Sequence, residues 1–235
     1  PRMHILSDGR LAHVGPQSDT WTFDAASGWS FETWNSFGGR WDGTSVLLPG
    51  ETDRIMLIGG STPLTNTCEI IDFGDASPQW SYAAPMNIAR AHHDALLLPD
   101  QTVLVMGGGQ DGLYSSPVNQ PELYDPETDE WTLLPAHQHG RMYHATTVLL
   151  PDGRVLVAGQ DSGASAYSGE IYEPAYLSRG PRPVIDASAT RIGWDHSFVI
   201  ESANAADVTS VVLIRLTSVT HSVNFQQRLV DLEYS

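Results

Sequence analysis

The chain repeats one pattern four times, and this repeat constrains its fold more than any other feature of the sequence. Each copy has a short run of Val, Leu and Ile, a turn of Asp, Gly or Pro, and a second apolar run that ends in Gly. Two such runs around a tight turn are typical of a β-hairpin. The four copies occupy residues 4–15, 45–60, 95–109 and 147–159.

Further elements accompany each hairpin in a constant order. A third strand-like segment with an acidic residue follows the hairpin, at 21–24, 69–72, 122–125 and 170–173. In the first three units a tryptophan comes next, and we expect it to pack a fourth, outer strand; these are Trp29, Trp80 and Trp131. Each unit opens with an arginine, and the four are Arg2, Arg40, Arg90 and Arg141.

Four strands per unit of about 40–50 residues, without a helical period, predict a Kelch-type β-propeller. A β-sandwich of regular hairpins is the alternative, but it does not explain the shared order of arginine, hairpin and acid. The predicted fold is all-β, with four propeller blades over residues 1–177. Two prolines and a glycine mark a linker at 178–183. Residues 184–235 contain short strand-like runs without the repeat, which indicates the start of a β-sandwich.

Charge and cysteine content exclude several classes of protein. The chain carries 12 Lys and Arg against 28 Asp and Glu, a net charge of −16, so no basic face is available for nucleic acid or an anionic membrane surface. It has a single cysteine, which excludes an intrachain disulfide framework and any multi-cysteine metal site. The chain begins at Pro1 inside the periodic pattern and ends in a strand-like run, so we expect it to be a piece of a longer protein.

The residues just after each arginine are candidates for a site. The first strand of a propeller blade lines the central channel, so its entry end is expected to lie at the channel mouth. The residues two and three positions after each arginine are His4 and Ile5, Asp42 and Gly43, His92 and His93, and Tyr143 and His144. For His4, Asp42, His92 and His93 we favour a structural role, in which polar groups satisfy the backbone and water.

Two motifs resemble the galactose oxidase and glyoxal oxidase family. Residues 141–144, Arg-Met-Tyr-His, followed by Leu-Leu-Pro-Asp-Gly-Arg-Val at 149–155, look like the Tyr-His segment of that family. Residues 220–228 resemble its Thr-His-x-x-Asn-x-Asp-Gln-Arg loop, with Gln226 in place of the Asp. The two motifs occur in the family's order, one in the repeat region and one beyond the linker.

The resemblance implies a seven-bladed propeller with a mononuclear copper on its axis, followed by an immunoglobulin-like domain that is truncated here. On matching positions Tyr143 would be the axial ligand and the catalytic base, and His144 and His221 would be the imidazole ligands. Imidazole nitrogen and phenolate oxygen suit tetragonal Cu(II). In that family a second Tyr, joined to a Cys by a thioether, stores a radical, and this pair belongs to an earlier blade that is not present in this chain. Cys68 and Tyr114 are 46 residues apart, but their neighbours do not match that cofactor, so Cys68 is interpreted as a structural cysteine.

The function implied by the resemblance is that of a copper radical oxidase. Such an enzyme oxidises a primary alcohol or aldehyde, in some members a carbohydrate, with O₂ and produces hydrogen peroxide. The resemblance also implies a secreted or extracytoplasmic protein whose missing propeller half comes from the same or another chain. The alternative is a non-catalytic Kelch-type propeller, an extracellular structural or carbohydrate-binding protein. The presence of the Cys and Tyr upstream of Pro1 would distinguish the two.

Overall fold

The structure is a computed structural model that describes residues 2–112, 115–160, 167–193, 196–225 and 227–235. Its first three quarters form antiparallel sheets, each built from one sequence repeat. The first blade comprises β1 (Met3–Ile5), β2 (Leu11–His13), β3 (Asp19–Asp24) and β4 (Gly28–Trp34). The second comprises β5 (Thr44–Leu47), β6 (Arg54–Gly60), β7 (Thr65–Asp72) and β8 (Ser81–Ala83). The all-β propeller predicted from the repeat is confirmed.

The third and fourth blades repeat this arrangement with small variations. The third comprises β9 (Ala91–Leu97), β10 (Val103–Asp111), β12 (Glu122–Asp125) and β13 (Glu130–Leu133), with β11 (Ser115–Pro117) paired to the far end of β10. The fourth comprises β14 (Ala145–Leu149), β15 (Val155–Gly159) and β16 (Gly169–Tyr172). A short 3₁₀ helix, Ala175–Ser178, follows the fourth blade.

The C-terminal segment consists of short paired strands. β17 (Ala187–Ser188) pairs with β18 (Ile200–Glu201), and β19 (Val212–Ile214) pairs with β22 (Leu229–Asp231). Between these lies a hairpin of β20 (Val219–Thr220) and β21 (Val223–Asn224), where the sequence suggested only a loop. The domain boundaries at 177 and 184 stay predictions. Within the described ranges, no helix is long and apolar enough to cross a membrane.

The hydrophobic core lies between the blades. One cluster joins the first and second blades through residues such as Val14 and Ile55, and another joins the second and third through Met56 and Val105. A third joins the third and fourth blades. The inner hairpins are therefore apolar on both faces, which explains why their sequences are nearly continuous Val, Leu and Ile runs rather than alternating ones.

The arginine that opens the second, third and fourth units is a buried clamp within its own blade. Its guanidinium binds a carboxylate of the third strand: Arg40 binds Glu69 at 2.8 Å, Arg90 binds Glu122 at 2.6 Å, and Arg141 binds Glu170 at 3.1 Å. The same guanidinium donates to the carbonyl of the first glycine after the second apolar run, Gly59, Gly107 or Gly159. The constant order of arginine, hairpin and acid therefore reflects one electrostatic unit.

Candidate metal centre

Three rings from two distant parts of the chain meet at one end of the propeller. Tyr143 and His144 stack with their centroids 3.9 Å apart. The ring of His221, from the C-terminal segment, lies 4.6 Å from His144 and 5.9 Å from Tyr143. Tyr143 is partly buried, whereas His144 and His221 are exposed to solvent. The structure thus brings together all three residues that the resemblance selected, at a place that a small ligand can reach.

A β-turn lets Tyr143 and His144 share one side of the backbone. Adjacent residues in a regular strand point to opposite faces. Here the N–H of Ala145 donates to the carbonyl of Met142 at 2.9 Å, and His144 has φ of 63°, in the left-handed region. The turn directly precedes β14, and Arg141 before it is clamped to Glu170. The two rings are therefore presented from a rigid strand entry.

His221 lies at the tip of the β20–β21 hairpin. Thr220 pairs with Val223, so the loop has two residues, His221 and Ser222, with φ of 51° and 63°. Two positive φ values define a type I′ turn, which matches the twist of paired strands but is usually occupied by Asn and Gly. The Nδ1 of His221 is 2.7 Å from the hydroxyl of Thr220, so this bond orients the ring and leaves Nε2 for another partner.

Residues 217–225 and 227–228, which we call the plug segment, make hydrogen bonds to all four blades. The N–H of Leu149 in the fourth blade donates to the hydroxyl of Thr217 at 3.1 Å. Gln227 bonds to Leu97 in the third blade. Arg228 donates to Asp53 of the second blade at 3.1 Å and to the carbonyl of Ile5 of the first at 2.9 Å. Most of these bonds lie at the last residues of the inner strands β1, β9 and β14, and from there the β20–β21 hairpin reaches back to place His221 beside Tyr143, just before the start of β14.

A histidine from the third blade contacts the same site. The ring of His92 lies edge-on to Tyr143 with a centroid distance of 5.3 Å. The ring Nε2 of His92 is 3.8 Å from Oδ2 of Asp42, and the backbone N–H of His92 donates to the backbone carbonyl of Asp42 at 2.7 Å. Burial lowers the pKa of His92, an effect that Asp42 partly opposes. The sequence interpretation assigned His92 a structural role, and the structure adds that it packs against the predicted axial Tyr.

Of the other candidates at the channel mouth, His4 and His93 are buried in the blade packing and Asp42 is exposed. His4 is buried and bonds to the hydroxyl of Ser45 at 2.8 Å, and burial lowers its pKa to about 4. His93 is fully buried, and burial followed by the charge of Arg90 lowers its pKa well below the usual value. Asp42 accepts from the hydroxyl of Ser61 at 2.7 Å. The contacts of His4 and Asp42 fit the structural role that was favoured for them, whereas neither ring nitrogen of His93 has a hydrogen-bond partner among the described residues.

The remaining sequence candidates do not add to the site. Cys68 is buried in the core between the second and third blades, and burial raises its thiol pKa to about 12. This is the environment of a structural cysteine. Tyr114 and Gln226 lie outside the described residues.

The donor set fits a copper ion better than a carboxylate-bound metal. Among the described residues, no three His, Cys, Asp or Glu side chains lie close enough to hold a metal. A metal at this place would therefore need the phenol oxygen of Tyr143 beside the two imidazoles. Two nitrogens and a phenol oxygen on mutually contacting rings form an N,O set of the kind that Cu(II) accepts. The copper ligands remain a prediction that this geometry permits.

Comparison with known proteins matches both halves of the chain to one family. The family model described as glyoxal oxidase N-terminus matches residues 59–175, and that described as galactose oxidase-like, Early set domain, matches residues 182–235. A galactose oxidase from Gibberella zeae is 31% identical over 213 residues, which cover 81% of this chain and 31% of that protein. Aldehyde oxidase GLOX from Vitis pseudoreticulata is 32% identical over 231 residues, covering 82% and 44% of the two proteins.

A solved structure shares the fold over almost the whole chain. A fungal alcohol oxidase of the AA5 family, in complex with copper, superimposes with a TM-score of 0.87 at 24% identity, covering 98% of this chain and 53% of that one. The chain spans about a third of the length of the galactose oxidases it matches. The first family model spans the segment that contains Tyr143, and the second spans the one that contains His221. The chain belongs to the galactose oxidase and glyoxal oxidase family.

Proposed function

We propose that this chain provides three copper ligands, Tyr143, His144 and His221, to a copper radical oxidase. The observation that carries the proposal is the meeting of these three rings, although His221 is separated from Tyr143 by 78 residues and lies beyond the propeller. A purely structural propeller needs packing and satisfied backbone groups, but it does not need two solvent-exposed histidines against a tyrosine. Two left-handed backbone positions, at His144 and His221, hold these rings. Such conformations cost free energy and concentrate at functional sites.

The proposed roles follow from the position of each residue. Copper bound there would supply one of the two oxidising equivalents for an alcohol or aldehyde, the radical-storing Tyr upstream would supply the other, and O₂ would take up both electrons. His144 and His221 would hold the site, and Thr220 would orient the imidazole of His221 through Nδ1. The phenol oxygen of Tyr143 would take the hydroxyl proton of the substrate, because it lies on the ring that both histidines contact.

The substrate is proposed to be a small primary alcohol, an aldehyde or a carbohydrate, with hydrogen peroxide as the second product. The names of the relatives, galactose oxidase and aldehyde oxidase, support this range. The radical-storing Cys and Tyr would come from a part of the protein upstream of Pro1. A secreted or extracytoplasmic location is proposed on the same family grounds.

Copper titration followed by electron paramagnetic resonance tests the site. We expect one tight Cu(II) per chain in the wild type, with a spectrum typical of nitrogen and oxygen ligands. His221→Ala is expected to lose this tight site. His139→Ala is the matched control, because His139 is exposed in a loop and is expected to keep it.

The result that would overturn the proposal is equally clear. If His221→Ala binds Cu(II) with unchanged affinity and an unchanged spectrum, the three residues are not the ligand set. The alternative function, that of a non-catalytic Kelch-type propeller, would then be favoured. Hydrogen peroxide release with primary alcohols and aldehydes, measured on the protein together with its upstream segment, tests the catalytic part.

A further inference from the structure

The side-chain amide of Gln227 pairs with the backbone of Leu97 as a neighbouring β-strand would. Its Oε1 accepts from the N–H of Leu97 at 2.7 Å, and its Nε2 donates to the carbonyl of the same residue at 2.9 Å. Leu97 lies opposite Val103 on β10. The next residue, Leu98, is the one that bonds across the hairpin, since its N–H donates to the carbonyl of Thr102. In an antiparallel ladder the peptide groups of Leu97 therefore face away from β10, along the free inner edge of the blade.

Asn224 completes this connection. Its Nδ2 donates to Oε1 of Gln227 at 2.6 Å and lies 3.4 Å from the carbonyl of Ala95, the next outward-facing residue on the same edge. Its Oδ1 accepts from the N–H of Ser218 at 3.3 Å, across the base of the hairpin. Asn224 and Gln227 are 5% and 6% exposed. Two buried amides thus satisfy an inner strand edge of the third blade and tie the hairpin base to it.

We propose that Asn224 and Gln227 are positioning residues, which set the place and angle of the His221 ring by fixing its hairpin to the inner edge of β9. This inference rests on the proposed copper site. A type I′ turn occupied by His and Ser is not favoured by its own residues, so the surroundings must hold it. Asn224 is the last residue of β21, two residues beyond the turn, and it bonds to Ser218, the residue just before β20. Buried hydrogen bonds at this point therefore limit the movement of the tip.

The test compares the same substitution at two glutamines, each of which links the third blade to the C-terminal segment. Gln227→Met keeps the length of the side chain and removes both bonds to Leu97. Gln101→Met is the matched control, because Gln101 of the third blade donates to Asp231 at 3.1 Å but is remote from the hairpin and partly exposed. Both variants are made in the full chain. Three properties are measured: the Cu(II) affinity, the electron paramagnetic resonance spectrum of the 1:1 complex, and the melting temperature without metal.

For Gln227→Met we expect a loss in Cu(II) affinity of about tenfold or more, the usual effect of disturbing groups that orient a ligand. We also expect changed g values and copper hyperfine splitting. Gln101→Met should keep the affinity and spectrum, even if both variants melt at a lower temperature. If Gln227→Met has the affinity and spectrum of the wild type while His221→Ala loses copper, the positioning role is wrong and the proposed function stands. If His221→Ala also behaves as the wild type, both fail.

Gln227→Glu keeps the inference testable if the methionine variant does not fold. Its carboxylate retains an oxygen that accepts from the N–H of Leu97 but has no N–H for the carbonyl. An intermediate loss of Cu(II) affinity with a shifted spectrum supports the positioning role. An unchanged affinity and spectrum in this variant contradicts it.

Discussion

Arg90 and Glu122 form a salt bridge of 2.6 Å in which neither side chain is exposed to solvent. The same carboxylate accepts from the backbone N–H groups of Asn87 and Ile88, in the loop that leads into the third blade. A buried ion pair gains little over an apolar pair, but each charge depends on the other. The pair therefore holds the entry loop, the inner hairpin and the third strand of the blade in one arrangement.

Removing the negative charge of this pair should destabilise the protein strongly. Glu122→Gln leaves the guanidinium of Arg90 buried without a counter-charge, and we expect a loss of about 3–5 kcal/mol in the free energy of unfolding. Glu170→Gln in the fourth blade is the control, because the side chain of Glu170 is 22% exposed, so that water already weakens its attraction to Arg141. Urea unfolding measures both. Equal losses in the two variants would contradict the dependence on burial.

Asp94 should make stability fall as the pH rises. Burial raises its pKa to about 7. Between about pH 4 and pH 7 the folded state therefore keeps a proton that the unfolded chain has lost, and the free energy of unfolding decreases by at most about 1.4 kcal/mol per pH unit. Below pH 4 the stability associated with protonated Asp94 is fully present, and above pH 7 it is lost. Asp94→Asn should be more stable than the wild type at pH 8, with little difference at pH 4.

The pH dependence must be taken as the difference between wild type and variant, because His4 acts in the opposite direction. Burial lowers the pKa of His4 to about 4, so the unfolded chain binds the extra proton between pH 4 and about 6.5. Stability due to His4 therefore rises with pH over that range. Urea unfolding at several pH values separates the two groups. A parallel pair of profiles for wild type and Asp94→Asn would show that Asp94 does not titrate as stated.

Gly59 should be intolerant of a side chain because of its neighbours as well as its backbone. A Cβ at this position would lie 2.8 Å from the carbonyl oxygen of Arg90 and 2.8 Å from the ring of His93, at the seam of the second and third blades. Gly112→Ala is a matched control, because its φ of 61° is close to the 56° of Gly59 but nothing lies within 4 Å. We expect Gly112→Ala to cost about 1 kcal/mol for its backbone conformation. Gly59→Ala should cost about 1–3 kcal/mol more in the free energy of unfolding because of overpacking. Urea unfolding measures both costs. Equal costs would mean that the contacts between the second and third blades adjust to the added methyl group.

The thiol of Cys68, the single cysteine, should not react in the folded protein. Burial raises the pKa of Cys68 to about 12 and removes it from reagents in solution. We expect no reaction with a thiol reagent under native conditions and one thiol per chain in denaturant. No thiol in denaturant, combined with a mass two units lower in this metal-free chain, would instead indicate that Cys68 is cross-linked, for example to Tyr114.

The repeat allowed the blades to be predicted because each apolar hairpin is a local feature of ten to twenty residues with its own turn. The clamp of Arg40 with Glu69 was not predicted, since a charge pair between strands carries no local signal. The hairpin at 219–224 was missed for a related reason. His221 and Ser222 occupy the two turn positions, where Asn and Gly would have indicated a type I′ turn. The ring contacts around Tyr143 were expected from resemblance alone, since nothing local to residue 221 indicates which blade it meets.

The position of the plug segment after the four blades in the sequence has a consequence for how the protein is made. A ribosome releases the four blades first, and the plug segment becomes available only after them. Until then the inner edge at Ala95 and Leu97 lacks the amides of Asn224 and Gln227, and Tyr143 and His144 lack the ring of His221. A chain halted at residue 216 could contain every blade strand and still lack His221. Completion of the three-ring cluster is thus tied in time to the synthesis of the segment that follows the blades.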